Sequence, residues 1–219
     1  MTRIILTRHG QTEWNKPPHR FRGRAELALS DLGTDEARAT ARRIAASCTP
    51  VAVYSSPLER CLITGQVIAE PFHLRVAQLP GLVDIDYGEW EGLTEEEARS
   101  GWPEMYDTWT RAPHCARPPG GETLQDVFAR ASGALHAVLR RHAGETVVLV
   151  GHDSVNRILL LHALDLALSH YRCLAQDNCG LNELEFAAFQ FRIKSLNETA
   201  HLAAIGPPPA AAPSAEVHA

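Results

Sequence analysis

The residues with the clearest chemical potential stand where apolar runs stop. Arg8-His9-Gly10 follows Ile4-Ile5-Leu6, a β-branched run that reads as a buried strand. Arginine offers a planar fork that matches phosphate oxygens. The histidine ring nitrogen is largely unprotonated near neutral pH and can act as a nucleophile. Gly10 lets the backbone approach a bound group or turn sharply. Alone, such a dipeptide would suit a surface turn equally well. Val51 to Tyr54 then leads into Ser55-Ser56-Pro57-Leu58-Glu59-Arg60. Here Ser56 is placed to cap a helix, Pro57 to enter its first turn and Glu59 to complete a capping box. Arg60 would join the anion-favouring helix start. A third run, Thr146 to Val150, delivers Gly151-His152-Asp153-Ser154 in the same way.

Between the last two lies Leu82 to Gly92, which packs Asp84, Asp86, Glu89 and Glu91 around Tyr87 and Trp90. Carboxylates repelling one another in a partly apolar place suit a general acid. The competing reading is a solvated acidic loop anchored by Trp90.

These groups need a sheet to carry them. Strands are expected at Ile4–Leu6, Val51–Tyr54, Leu74–Leu79 and Thr146–Val150, with ligand binding at their carboxyl edge. Helical spacing is expected from Ser30-Asp31 to Cys48, from Pro57 to Pro71, over Thr94–Arg99 and Glu104–Arg111, and from Thr123 onward. Another helix covers Val155–Leu164, with Ser154 or Asp153 as its cap. Leu181–Phe186 and Phe189–Ile193 read as a hairpin-like pair, a candidate edge for a homodimer. His19 to Glu26 is a loop by composition, in which Gly23-Arg24 could line a pocket. Ala112 to Gly121 is rich in proline and glycine and is expected to form a mobile wall over the site, with Arg99, Arg111 and Arg117 as candidate carboxylate contacts. One domain is expected over residues 1–205, with a disordered Pro/Ala-rich tail from Gly206.

Bulk properties exclude several classes. The 219 residues are 45% hydrophobic and 21% charged, enough for one sizeable core. A net charge of -5 argues against a nucleic-acid binder working by bulk electrostatics. No apolar run is long enough to span a membrane, and no signal peptide is recognisable. Five cysteines with no C-x-x-C pair favour reduced thiols and the cytoplasm. None of the eleven histidines falls in a metal-binding spacing, so scattered surface histidines and no metal are expected.

Taken in series, Thr7-Arg8-His9-Gly10-Gln11-Thr12-Glu13-Trp14-Asn15, Ser55 to Arg60, Asp86 to Gly92 and Val150 to Asp153 resemble the histidine phosphatase superfamily, the phosphoglycerate mutase-like family. The resemblance runs over about residues 3 to 193. It implies an α/β fold, a three-layer α/β/α sandwich with a mostly parallel central sheet. It also implies a metal-independent phosphatase of small-molecule phosphomonoesters, working through phosphohistidine without a cofactor. His9 would attack phosphorus, with Arg8, Arg60 and His152 on the equatorial oxygens, and arginine and imidazolium would supply the positive charge. Gln11, Thr12 and Asn15 would add hydrogen bonds, with Gly10, Gly23 and Asp153 also against the substrate. Many members place a glutamate four residues before the glycine of the acidic segment; here it is Asp84, one methylene shorter. Asp84 is the chosen acid, ahead of Asp153 and then Glu89.

The partner expected is a small phosphorylated metabolite. A cofactor-dependent phosphoglycerate mutase is the runner-up, disfavoured because the stretch from Gly92 to Gly120 is short for the lid that must exclude water. A non-catalytic phospho-ligand-binding regulator need not keep His9, both arginines and His152. A serine hydrolase using Ser154 lacks the G-x-S-x-G elbow.

Overall fold

The computed structural model describes residues 1–205; the tail expected from Gly206 lies outside them. Six strands form one mixed sheet in the order β3-β2-β4-β1-β5-β6. They are β1 (Thr2–Arg8), β2 (Ala52–Ser55), β3 (Val76–Gln78), β4 (Thr146–Gly151), β5 (Leu181–Ala187) and β6 (Gln190–Glu198). β1, β2, β3 and β4 run parallel, while β5 and β6 are antiparallel additions on the β1 side. The sheet is therefore mostly parallel, as expected.

Because helices cover both faces, the central strands are apolar at successive positions rather than alternate ones. Ile4 and Leu6 of β1 pack with α5 (Leu124–Arg141) and α6 (Asp153–Ala163), whereas Ile5 packs with α1 (Asp31–Ala45) and α2 (Glu59–Ala69). The two cores on opposite faces make the three layers. α3 (Glu95–Gly101) and α4 (Pro103–Arg111) continue the α5 side, where Trp90, Tyr106 and Trp109 are buried together. No helix among the described residues is long and apolar enough to cross a membrane.

Local signals place most helix starts well. Ser30 Oγ accepts the Gly33 N–H at 3.1 Å, and Thr123 with Asp126 forms a full capping box on α5. Two starts differ from expectation. α2 starts only at Glu59 with Leu58 at its N-cap position, while the Ser56 Oγ accepts the Leu58 N–H at 3.4 Å. α6 is capped by the His152 backbone, and neither Asp153 nor Ser154 caps it.

The histidines are not all on the surface. His142 is buried near the amino ends of the strands, where Nε2 meets the Tyr54 hydroxyl at 2.8 Å and Nδ1 meets Glu145 at 2.7 Å.

Candidate active site

Three parallel strands end together at the carboxyl edge of the sheet. Arg8 pairs in register with Gly151, the His9 N–H donates to Gly151 O at 3.0 Å, and the Ser56 N–H donates to Val150 O at 3.0 Å. His9 and His152 are thereby brought to 5.3 Å between ring centroids, inclined at 61°. Gly10 then takes the chain beneath α1. A Cβ there would overlap the Gly33 carbonyl, so only glycine permits this close approach.

Both imidazoles are buried. The His9 Nδ1 lies 2.7 Å from Gly10 O and so carries the donated proton, which leaves Nε2 with the lone pair. Burial foremost, then the charges of Arg60 and Arg8, hold the His9 pKa well below its ordinary value. His152 is depressed likewise by burial and by Arg60, Arg22 and Arg8. Its Nε2 lies 2.7 Å from the Ser56 hydroxyl. Both rings are therefore neutral near pH 7, and the expected imidazolium charge is replaced by guanidinium charge. The Cys61 Sγ lies 3.4 Å from His152 Nε2, but burial pushes this thiol up to about 12, so it does not compete as a nucleophile.

That positive charge comes from three arginines. Arg60 is fully buried and held by Ala25 O at 2.8 Å, Gly23 O at 2.7 Å and Asp84 Oδ2 at 3.3 Å. Arg8 donates to Gln176 O at 2.6 Å. Arg22 makes one long bond, to Trp14 O at 3.4 Å. In all three, Nε is buried without a hydrogen-bond partner among the described residues. Buried donors are nearly always paired, so three orphans on cations around one neutral imidazole mark a place for an anion.

Asp84 is buried beside this group. Its Oδ2 faces Arg60 and, at 3.5 Å, His152 Nδ1, while Oδ1 accepts the Ile85 N–H at 2.9 Å and the Ser154 hydroxyl. Asp153 is 2.9 Å from Arg157 and borders the open cavity. Glu89 is exposed.

Above the buried groups opens a cavity of about 480 Å³. Arg8, Gln11, Asn15 and Asp153 line it. Gly10, Thr12 and Gly23 do not. Gly10 O holds His9, the Thr12 N–H and hydroxyl both donate to Asn15 Oδ1 at 2.9 Å, and Gly23 O holds Arg60. Their places are behind the wall, supporting residues that line it or the histidine beneath.

The wall itself differs from expectation. Ala112 to Gly121 lies instead against the acidic segment: Pro119 O accepts the Glu89 N–H at 2.9 Å, and Arg117 pairs with Asp126 at 2.9 Å. Arg99 stacks over Tyr106 and Arg111 pairs with Asp107, so none of these three arginines reaches the cavity. The facing wall comes from Trp109 of α4 and from residues 171–178, including Tyr171, Arg172 and Asn178. Arg22, Arg157 and Arg172 also line the cavity, and no motif in the sequence marks them. The one local sign was the run Arg20-Phe21-Arg22-Gly23-Arg24, in which cations flank an aromatic side chain.

An oriented neutral imidazole among guanidinium groups, at the strand ends of a three-layer α/β/α sheet, defines an enzyme of phosphate esters. The chain belongs to the histidine phosphatase superfamily (branch 1), whose family model matches residues 4–199, and is a phosphomonoester hydrolase. It is 34% identical over 202 residues to phosphoserine phosphatase 1 of Hydrogenobacter thermophilus, covering 92% of this chain and 95% of that protein. Among solved structures it resembles YhfR of Bacillus stearothermophilus, with TM-score 0.87 and 30% identity, covering 92% of this chain and 100% of that one. It also resembles a mutant phosphoserine phosphatase of Entamoeba histolytica in complex with phosphoserine, with TM-score 0.81 and 28% identity over 92% of this chain and 100% of that one.

Proposed function

We propose that this enzyme hydrolyses small phosphomonoesters through a phosphohistidine on His9. The observation that carries this reading is the His9 tautomer: Nδ1–H is tied to Gly10 O, so Nε2 is the free nucleophile inside the arginine cluster. Nε2 attacks phosphorus in line, and the bond to the ester oxygen breaks. Arg8, Arg60 and His152 hold the equatorial oxygens, the guanidinium groups offsetting the charge that gathers there. Asp84, adjacent to Arg60 and His152, protonates the departing oxygen. It then takes a proton from the water that cleaves the P–N bond, returning His9 and releasing phosphate. Gln11, Asn15 and Asp153 border the leaving group.

The relatives named for phosphoserine make that ester the first substrate to try. Five free cysteines fit a reducing compartment, and we place the enzyme in the cytoplasm. The test follows phosphate release from a panel of phosphomonoesters in the presence of a chelator, and separately the interconversion of 3- and 2-phosphoglycerate with a bisphosphoglycerate primer. Release without interconversion, with acid-labile label trapped on the enzyme and absent from His9→Ala, is the expected result. More than a trace of turnover by His9→Ala overturns the mechanism.

A further inference from the structure

Five arginines line the cavity: Arg8, Arg20, Arg22, Arg157 and Arg172. Two of them are matched within the protein, Arg157 to Asp153 at 2.9 Å and Arg20 to Glu97 at 3.4 Å. The other three have no carboxylate within 4.0 Å among the described residues. Arg8 adjoins His9 in the chain and belongs to the transferred phosphoryl group in the mechanism above. Arg172 lies over the Trp109 ring at 5.9 Å and donates to the Trp109 carbonyl at 2.8 Å, so that carbonyl and ring already engage it. Arg22 remains.

Arg22 is a poor choice for a purely structural residue. Its single bond to the protein is the 3.4 Å contact from Nη1 to Trp14 O, and neither Nε nor Nη2 has a hydrogen-bond partner among the described residues. That leaves one whole edge of the guanidinium, two parallel N–H groups, without a partner. Such an edge matches a planar carboxylate in a bidentate pair. Burial foremost and then the Arg8 charge lower the Arg22 pKa, with Asp84 and Asp153 offsetting part of the repulsion. Two like charges held together over a cavity are relieved by a ligand with two negative centres, one for each. In the mechanism proposed above Arg8, Arg60 and His152 take the three equatorial oxygens, so the second centre lies on the leaving group.

We propose that Arg22 determines specificity by binding a carboxylate on the leaving group, so that the substrate is a phosphomonoester with an acid group a short carbon chain from the ester oxygen. This deepens the phosphatase reading and rests on its placement of the phosphoryl group beside His9.

The test is a binding comparison that needs no turnover. In the His9→Ala background, titration calorimetry compares 3-phosphoglycerate with glycerol 3-phosphate, which differ in a carboxylate against a hydroxymethyl group. The carboxylate ligand is expected to bind at least about tenfold more tightly, a ratio typical of one charged, bidentate contact. Adding Arg22→Gln is expected to bring the two affinities to within about twofold, and Arg22→Lys, which keeps the charge but loses the fork, to an intermediate ratio. Should Arg22→Gln fail to fold by circular dichroism, Arg22→Lys carries the comparison. Equal affinity for the two ligands in the His9→Ala background overturns the proposal. So does a discrimination that survives loss of Arg22, or an equal loss on both ligands, which would assign Arg22 to the phosphoryl group. Turnover of the intact enzyme on the same pair separates the two readings. Binding discrimination without phosphate release would uphold Arg22 and sink the phosphatase mechanism.

Discussion

Arg60 and Asp84 meet as a buried ion pair, with Nη2 of one 3.3 Å from Oδ2 of the other and the arginine side chain wholly removed from solvent. Such a pair fixes geometry more than it adds stability, but removing one partner leaves a buried charge without its counter-ion. Asp84→Asn is therefore expected to cost about 3 kcal/mol of stability. A urea denaturation midpoint lowered in proportion would show it. The same variant should slow an ester with a poor leaving group far more than p-nitrophenyl phosphate, whose leaving group hardly needs a proton. Equal losses on both, with the unequal loss appearing in Asp153→Asn, would move the acid role to Asp153.

Ser56→Ala removes the hydroxyl that meets His152 Nε2 at 2.7 Å. Only the weaker Cys61 thiol at 3.4 Å then faces that buried ring nitrogen among the described residues, which costs about 1 kcal/mol and frees the ring to turn. Phosphate release should fall about tenfold or more, with kcat affected more than KM, and steady-state kinetics would read the split. A variant with wild-type kcat would show that His152 is held by other contacts.

Gly10→Ala would drive a methyl group into the Gly33 carbonyl, backbone against backbone, where no side chain can move aside. The expected loss is about 2 kcal/mol or more, with His9 displaced because Gly10 O orients its ring. Thermal unfolding and phosphate release should decline together. A fully active, equally stable variant would contradict the packing described for α1.

The depressed pKa values of His9 and His152 set the sign of the pH dependence. Below about pH 6.5 the unfolded chain protonates both rings while the folded protein resists doing so. Stability is thus fully present above about pH 6.5 and is lost as pH falls from there toward the lowered folded values. Urea midpoints should be lower at pH 5.5 than at pH 7.5, and His152→Asn should flatten the difference. The same lowering holds for His9, the proposed nucleophile, so the acid limb of kcat/KM should lie below pH 6.5. An acid limb centred at or above that value would show His9 to be an ordinary histidine.

The reactive core is legible in the sequence because its signals are local. Arg8-His9 and His152 each come directly after a β-branched run that can only be a buried strand, and such strands carry the next residues to one edge of the sheet. Ser56 is misleading for the complementary reason. Its capping-box spacing is correct, but the helix starts three residues later and the hydroxyl meets an imidazole 96 residues further on, which no local pattern contains. Arg22, Tyr171 and Arg172 sit on irregular backbone, where no periodicity tells which way a side chain faces. Composition alone assigns the Pro/Gly-rich stretch to the wall, whereas residues 171–178 close the cavity instead.

The position of β1 has a consequence for the order of assembly. Its hydrogen-bonded neighbours are β4 and β5, so Ile4 pairs with Val147 on one side and with Leu184 on the other. During synthesis the strand that leads to His9 therefore waits, with both edges unpaired, until most of the described chain has emerged. Contacts so distant in sequence form slowly, and an apolar strand left open meanwhile can pair wrongly with other chains. The first histidine made is among the last to reach its final surroundings, so a nascent or truncated chain that ends before β4 carries His9 without the strand beside it.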